Sequence, residues 1–175
     1  MTKRLRFIEP VLDEESVDKF AALIEEANGE DIIVDIFGYG GLVHPSWTIA
    51  KYIKDYEGKT IAEVDGMAAS MMGVLLAYFD EVHVSDTAKV MIHAPFGTLG
   101  DKIKDKEDTT SLYNALASKI KEDEFEKLYD IKLKDLLFQK GEERKDIWLN
   151  AKEMKKIGFA TRTYKLTPQK VSNMM

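Results

Sequence analysis

The chain has 175 residues, 45% of them hydrophobic, and a formal net charge of −6. That length suits one domain with its own buried core, so residues 1–175 are expected to form a single domain. The acidic balance argues against nucleic acid as the main partner, because phosphate binding needs a basic surface, and the absence of cysteine removes disulfides, thiolate catalysis and cysteine-based zinc sites.

Leu5 to Ile8 reads as a first short strand. Ser16 to Ala27 reads as a helix, with Val17, Phe20, Ala21, Leu23 and Ile24 on its apolar side and Asn28–Gly29 as its stop. Asp31 to Phe37 is β-rich and nearly continuous in apolar residues, as in a buried central strand. Gly38-Tyr-Gly-Gly41 breaks the chain before a helix from about Pro45 to Tyr56. Lys59 to Val64 is the next predicted strand, closed by Asp65–Gly66, and Ala68 to Phe79 the next predicted helix. Two short strands follow, Glu81 to Ser85 and Lys89 to His93. Beyond Pro95 a long polar helix is predicted from about Lys106 to Tyr129, with a thin apolar stripe of Leu112, Leu116 and Ile120. So narrow a stripe predicts a protruding element whose partner lies in another chain. Asn150 is a candidate N-cap for Ala151 to Ile157, with Gly158 as the stop. The alternation of strand and helix patterns gives an α/β fold.

The start, MTKRLRFIEP, reaches Glu9 and Pro10 before an apolar region forms, so no secretion signal is read. The longest largely apolar run, Met67 to Phe79, is 13 residues, and a membrane-spanning helix needs about 20. The expectation is a soluble, cytoplasmic protein with no membrane partner.

Three segments place a reactive or permissive residue at the end of a strand. Gly38-Tyr-Gly-Gly41 would turn tightly and expose backbone amides that suit an anion or an oxyanion. A plain strand-to-helix turn is the other reading, and Val43 stands where a dinucleotide fingerprint needs glycine. Gly66-Met-Ala-Ala-Ser70-Met-Met-Gly73 puts a serine in the first turn of an apolar helix, where the dipole and the Met71 amide favour developing negative charge. A small-residue helix packing site is the alternative, and Ala68 and Met72 occupy the glycine positions of a GxSxG elbow. Val90-Met-Ile-His93-Ala-Pro95 places a histidine at a strand end, either as a base facing a cleft or as a bonded core histidine. His44 and His83 read as structural or surface residues, and no metal motif joins the three histidines.

Together these segments resemble the Clp protease proteolytic subunit, and more closely the Clp-protease-like enzymes of bacteriophages and prophages that process capsid proteins. The matching segments are Gly38-Tyr-Gly-Gly41, Gly66-Met-Ala-Ala-Ser70-Met71, Met91-Ile-His93-Ala-Pro95 and Asp146-Ile-Trp-Leu-Asn-Ala-Lys-Glu153, closed by Gly158, between about Arg4 and Thr161. The resemblance implies a Ser–His–Asp triad with Ser70 as nucleophile, His93 as base and Asp146 as orienting acid. It implies an oxyanion hole from the amides of Gly41 and Met71, where losing one donor costs about 2.7–4 kcal/mol. It implies a spiral of β-β-α units shared with the crotonases, with a handle helix at about 97–130 that joins subunits into a homo-oligomer of one or two stacked rings. Gly97 to Lys102 would pair with substrate and with the opposing ring.

The expected activity is hydrolysis of peptide bonds in peptide or protein substrates, without cofactor or metal, in a phage or prophage processing role. The family's Ser-Pro is replaced by Gly38–Tyr39, which leaves the groove shape open, with Tyr39 and Phe96 as candidate lining. The family's amino-terminal loop and helix have no counterpart, so no stable partnership with a Clp ATPase is expected. Lys59 and Lys89 are positioned as alternatives for a serine–lysine dyad, which the His–Asp pair makes unnecessary. A crotonase-like acyl-CoA enzyme and an inactive ring-forming paralogue are the competing readings.

Overall fold

The computed structural model describes residues 1–96 and 106–170. The strands β1 (Thr2–Ile8), β2 (Asp31–Phe37), β3 (Thr60–Val64), β5 (Glu81–Ser85) and β8 (Arg162–Tyr164) form a five-stranded parallel sheet in the order β1-β2-β3-β5-β8. Alternation sorts its residues by face. Leu5, Phe7, Ile32, Val34, Ile36, Ala62, Val82 and Val84 are buried in the core. The opposite face is charged: Arg4 bonds Asp35 and, at 2.7 Å, Glu63. Asp35, Glu63 and His83 lie in register across three strands. His83 bonds Glu81 at 2.7 Å, which agrees with a structural role. Lys170 closes the network on Glu63 at 2.8 Å and Asp65 at 3.1 Å.

Helix α1 (Glu14–Ala27) starts at a capping box between Asp13 and Ser16 and ends at Asn28 in the left-handed conformation, as the Asn–Gly stop predicts. Its Phe20 meets Phe7 edge-on, with ring centroids 5.0 Å apart. Helix α2 (Val43–Asp55) packs beside α1.

A second sheet holds β4 (Met67–Ala69), β6 (Lys89–His93) and β7 (Asp146–Asn150), with β4 parallel and β7 antiparallel to β6. Here the sequence expectation of a helix from Ala68 is corrected. Met67 to Ala69 is a strand, Ser70 a turn, and only Met71–Leu75 (α3) and the 3-10 turn Leu76–Tyr78 are helical. Pairing decides it, because Ala69 N–H donates to Gly38 O at 3.0 Å while the strand ladders onto β6. A short apolar run carries no period that separates strand from helix.

The long polar helix is also corrected. It is two helices, α4 (Lys106–Ala117) and α5 (Glu122–Tyr129). At the break, Ser118 Oγ donates back to Ala115 O at 2.6 Å, and Lys121 N–H donates to Ile157 O at 2.7 Å instead of continuing the helix. The stripe of Leu112, Leu116 and Ile120 is buried within this one chain, at 2%, 0% and 4% exposure. Helix α4 packs on α6 (Leu133–Leu137), on α3 and on the 3-10 turn. The stripe therefore needs no second chain to cover it. Finally, α7 (Ala151–Lys156) starts at a capping box between Asn150 and Glu153 and is followed by Gly158 at φ 77°, matching the expected start and stop.

Candidate active site

The small sheet sets the geometry. Strand β4 pairs parallel with β6, matching Ala69 with Met91, so the chain leaves β4 at Ser70 beside the last residues of β6. Strand β7 runs antiparallel on the other side and matches His93 with Asp146. Residues distant in sequence thus occupy one edge of three neighbouring strands. Ser70 Oγ lies 2.7 Å from His93 Nε2. His93 Nδ1 lies 3.3 Å from Asp146 Oδ1. With the Nδ1 proton directed at Asp146, Nε2 accepts the Ser70 hydroxyl proton.

Ser70 has φ 56° and ψ −128°, a conformation costly for a residue with a side chain. It caps α3 instead of sitting in its first turn, so the strand-turn-helix has the shape of a nucleophile elbow without the GxSxG spacing. Its N–H donates to Met91 O at 2.9 Å and Val74 N–H donates to its carbonyl at 3.1 Å, which pins the turn to β6 and α3.

The glycine turn is built against this elbow. Gly40 has φ 95°, and a Cβ there would stand 2.6 Å from Ser70 Cβ and 3.0 Å from Met71 N. Gly41 forms a bridge with Leu12: Leu12 N–H donates to Gly40 O at 2.8 Å and Leu42 N–H donates to Leu12 O at 2.9 Å. In such a bridge the N–H of Gly41 itself points away from Leu12. Among the described residues the N–H groups of Gly40, Gly41 and Met71 have no acceptor. Motif reading named Gly41 and Met71 as donors but not Gly40, where a side chain would collide with the serine; its signal was the doubled glycine.

The imidazole is largely enclosed. Burial pushes its pKa below the ordinary 6.5, the nearby Asp146 charge opposes this, and Arg144 adds to it. Neutral imidazole, the form that accepts a proton, is therefore favoured near pH 7. The Asp146 side chain is 57% exposed against 11% for His93, so the acid is solvated and its contact long. Phe96 stands edge-on to the imidazole at 5.3 Å between centroids. Tyr39, the other expected lining residue, is exposed and meets Phe37.

The rejected candidates lie apart from this chain of contacts. His44 is exposed and lies 4.0 Å from Asp108. Lys59 is paired with Glu81. No group of three or more metal-ligating side chains is found among the described residues. The expected substrate segment at 97–102 lies outside the described residues.

The model of the Clp protease family matches residues 6–165. The chain belongs to the Clp protease family. A comparison with curated proteins returns no match. Membership places the chain among peptidases, which are hydrolases, and agrees with the mixed α/β architecture and its parallel sheet. No helix among the described residues is long and apolar enough to cross a membrane. In this Clp protease family member the sequence motifs gave no sign of Arg144, whose guanidinium carbon lies 4.6 Å over the Phe96 ring. No motif surrounds it, and only the return of β7 alongside β6 brings it near the imidazole.

Proposed function

We propose that this chain is a serine endopeptidase with Ser70 as nucleophile, His93 as general base and acid, and Asp146 as orienting acid. The observation that carries the reading is the continuous contact from Ser70 Oγ through the His93 ring to Asp146, beginning at a strained serine on a strand-turn-helix. Ser70 Oγ attacks the peptide carbonyl as His93 Nε2 takes its proton. The carbonyl oxygen becomes an oxyanion, for which the N–H groups of Gly41 and Met71 are the assigned donors. The C–N bond then breaks as His93 returns the proton to the leaving amine. Water repeats the sequence on the acyl-enzyme and frees Ser70. Asp146 holds the Nδ1–H tautomer and offsets the charge of the imidazolium.

The reading includes assembly into a ring and a role in phage or prophage protein processing, both supported by the motif resemblance. Hydrolysis of an unfolded protein such as casein, run beside light scattering, tests it. The wild type should cleave, and Ser70→Ala should lose cleavage while keeping its circular dichroism and its mass. Equal cleavage by Ser70→Ala would overturn the reading, and a mass of one chain in the active sample would overturn the assembly.

A further inference from the structure

One charged group beside the triad is assigned no step in the proposed hydrolysis. Arg144 precedes β7, two residues ahead of Asp146, and is exposed. Its guanidinium lies on the Phe96 ring, and that ring abuts His93. Its Nε donates to Gly141 O at 3.2 Å. These two contacts hold the head group over an aromatic face. Arg4, Lys59 and Lys170 are each bound to carboxylates, whereas Arg144 has no ion pair among the described residues. Asp146, two residues further along, is engaged with His93 Nδ1.

A held, unpaired guanidinium matches a carboxylate in shape and charge. Phe96 touches both this guanidinium and the general base, so a carboxylate that met Arg144 would belong to a residue close to the scissile bond. We propose that Arg144 is a specificity-determining residue that selects peptides carrying an aspartate or glutamate beside the bond to be cut. This rests on the serine-peptidase reading of the same site.

The test uses quenched fluorescent peptides blocked at both termini and identical except for Glu, Gln or Lys flanking the cleaved bond. The full chain and its Arg144→Gln and Arg144→Glu variants are compared at low and high salt, with fluorophosphonate labelling of Ser70 run on each. The wild type should favour Glu over Gln by about two- to fivefold in kcat/KM, the range of an exposed ion pair, and lose the preference in high salt. Arg144→Gln should abolish the preference and Arg144→Glu should shift it to Lys. Equal cleavage of the Glu and Gln peptides by a wild type that labels at Ser70 would overturn the proposal alone. Loss of labelling in the Arg144 variants would also overturn it, by making Arg144 a positioning residue of the triad. A wild type that shows no labelling and no cleavage would overturn the peptidase reading and this proposal with it.

Discussion

Asp146 is the weakest member of the proposed triad on geometric grounds. A charge-assisted bond runs to about 2.7–2.9 Å, while His93 Nδ1 and Asp146 Oδ1 are 3.3 Å apart and the carboxylate is more than half exposed. A buried triad aspartate contributes roughly 10⁴ in kcat. For Asp146→Asn the expected loss is about 10- to 100-fold, because water already screens the charge; a loss near 10⁴ would contradict the exposed placement. His93 gives a signed pH dependence. The proposed base works neutral, and burial, countered by Asp146 and aided by Arg144, puts its pKa below 6.5. The kcat/KM profile should therefore hold a plateau near pH 7 and fall only as pH drops through a value below 6.5. Asp146→Asn should move that fall to lower pH, since the charge removed was raising the pKa. A fall centred above 6.5 in the wild type would contradict the enclosure of the ring.

At the scale of elements, the stripe on α4 separates two pictures. A handle awaiting another chain would leave Leu116 uncovered. Here Leu116 is fully buried in its own chain, on a helix that packs against α6 and the turn after α3. Leu116→Ala is expected to cost about 2–5 kcal/mol in denaturant unfolding at fixed protein concentration, and a cost under about 1 kcal/mol would return the stripe to an inter-chain role. The sequence signal was a true amphipathic period, but it named no partner. That the partner is α6 of the same chain depends on contacts between segments that share no local pattern. The elbow at Ser70 shows the opposite failure. Alanine and methionine favour helix, yet Met67 to Ala69 is a strand because Gly38 and β6 supply its ladder. That error hid the positive φ of Ser70, where the chain turns beside His93.

For the whole molecule, the alternation of apolar strands and capped helices made the α/β class legible. The bounds of β2, β5 and β6 and the cap at Asn150 follow from local chemistry alone. The candidate site was legible only as four ordered segments, since Ser70 and His93 taken singly each had a structural reading and Asp146 entered only through the resemblance. The order β4-β6-β7 brings them together, and neither that order nor the placement of Arg144 has a local signature. The central claim is that Ser70 is an activated nucleophile. Fluorophosphonate labelling followed by peptide mass mapping tests it most directly. One adduct on Ser70 in the wild type, absent in Ser70→Ala and His93→Ala, is the expected result; a folded, assembled sample that takes no label, or one whose label survives Ser70→Ala, would contradict it.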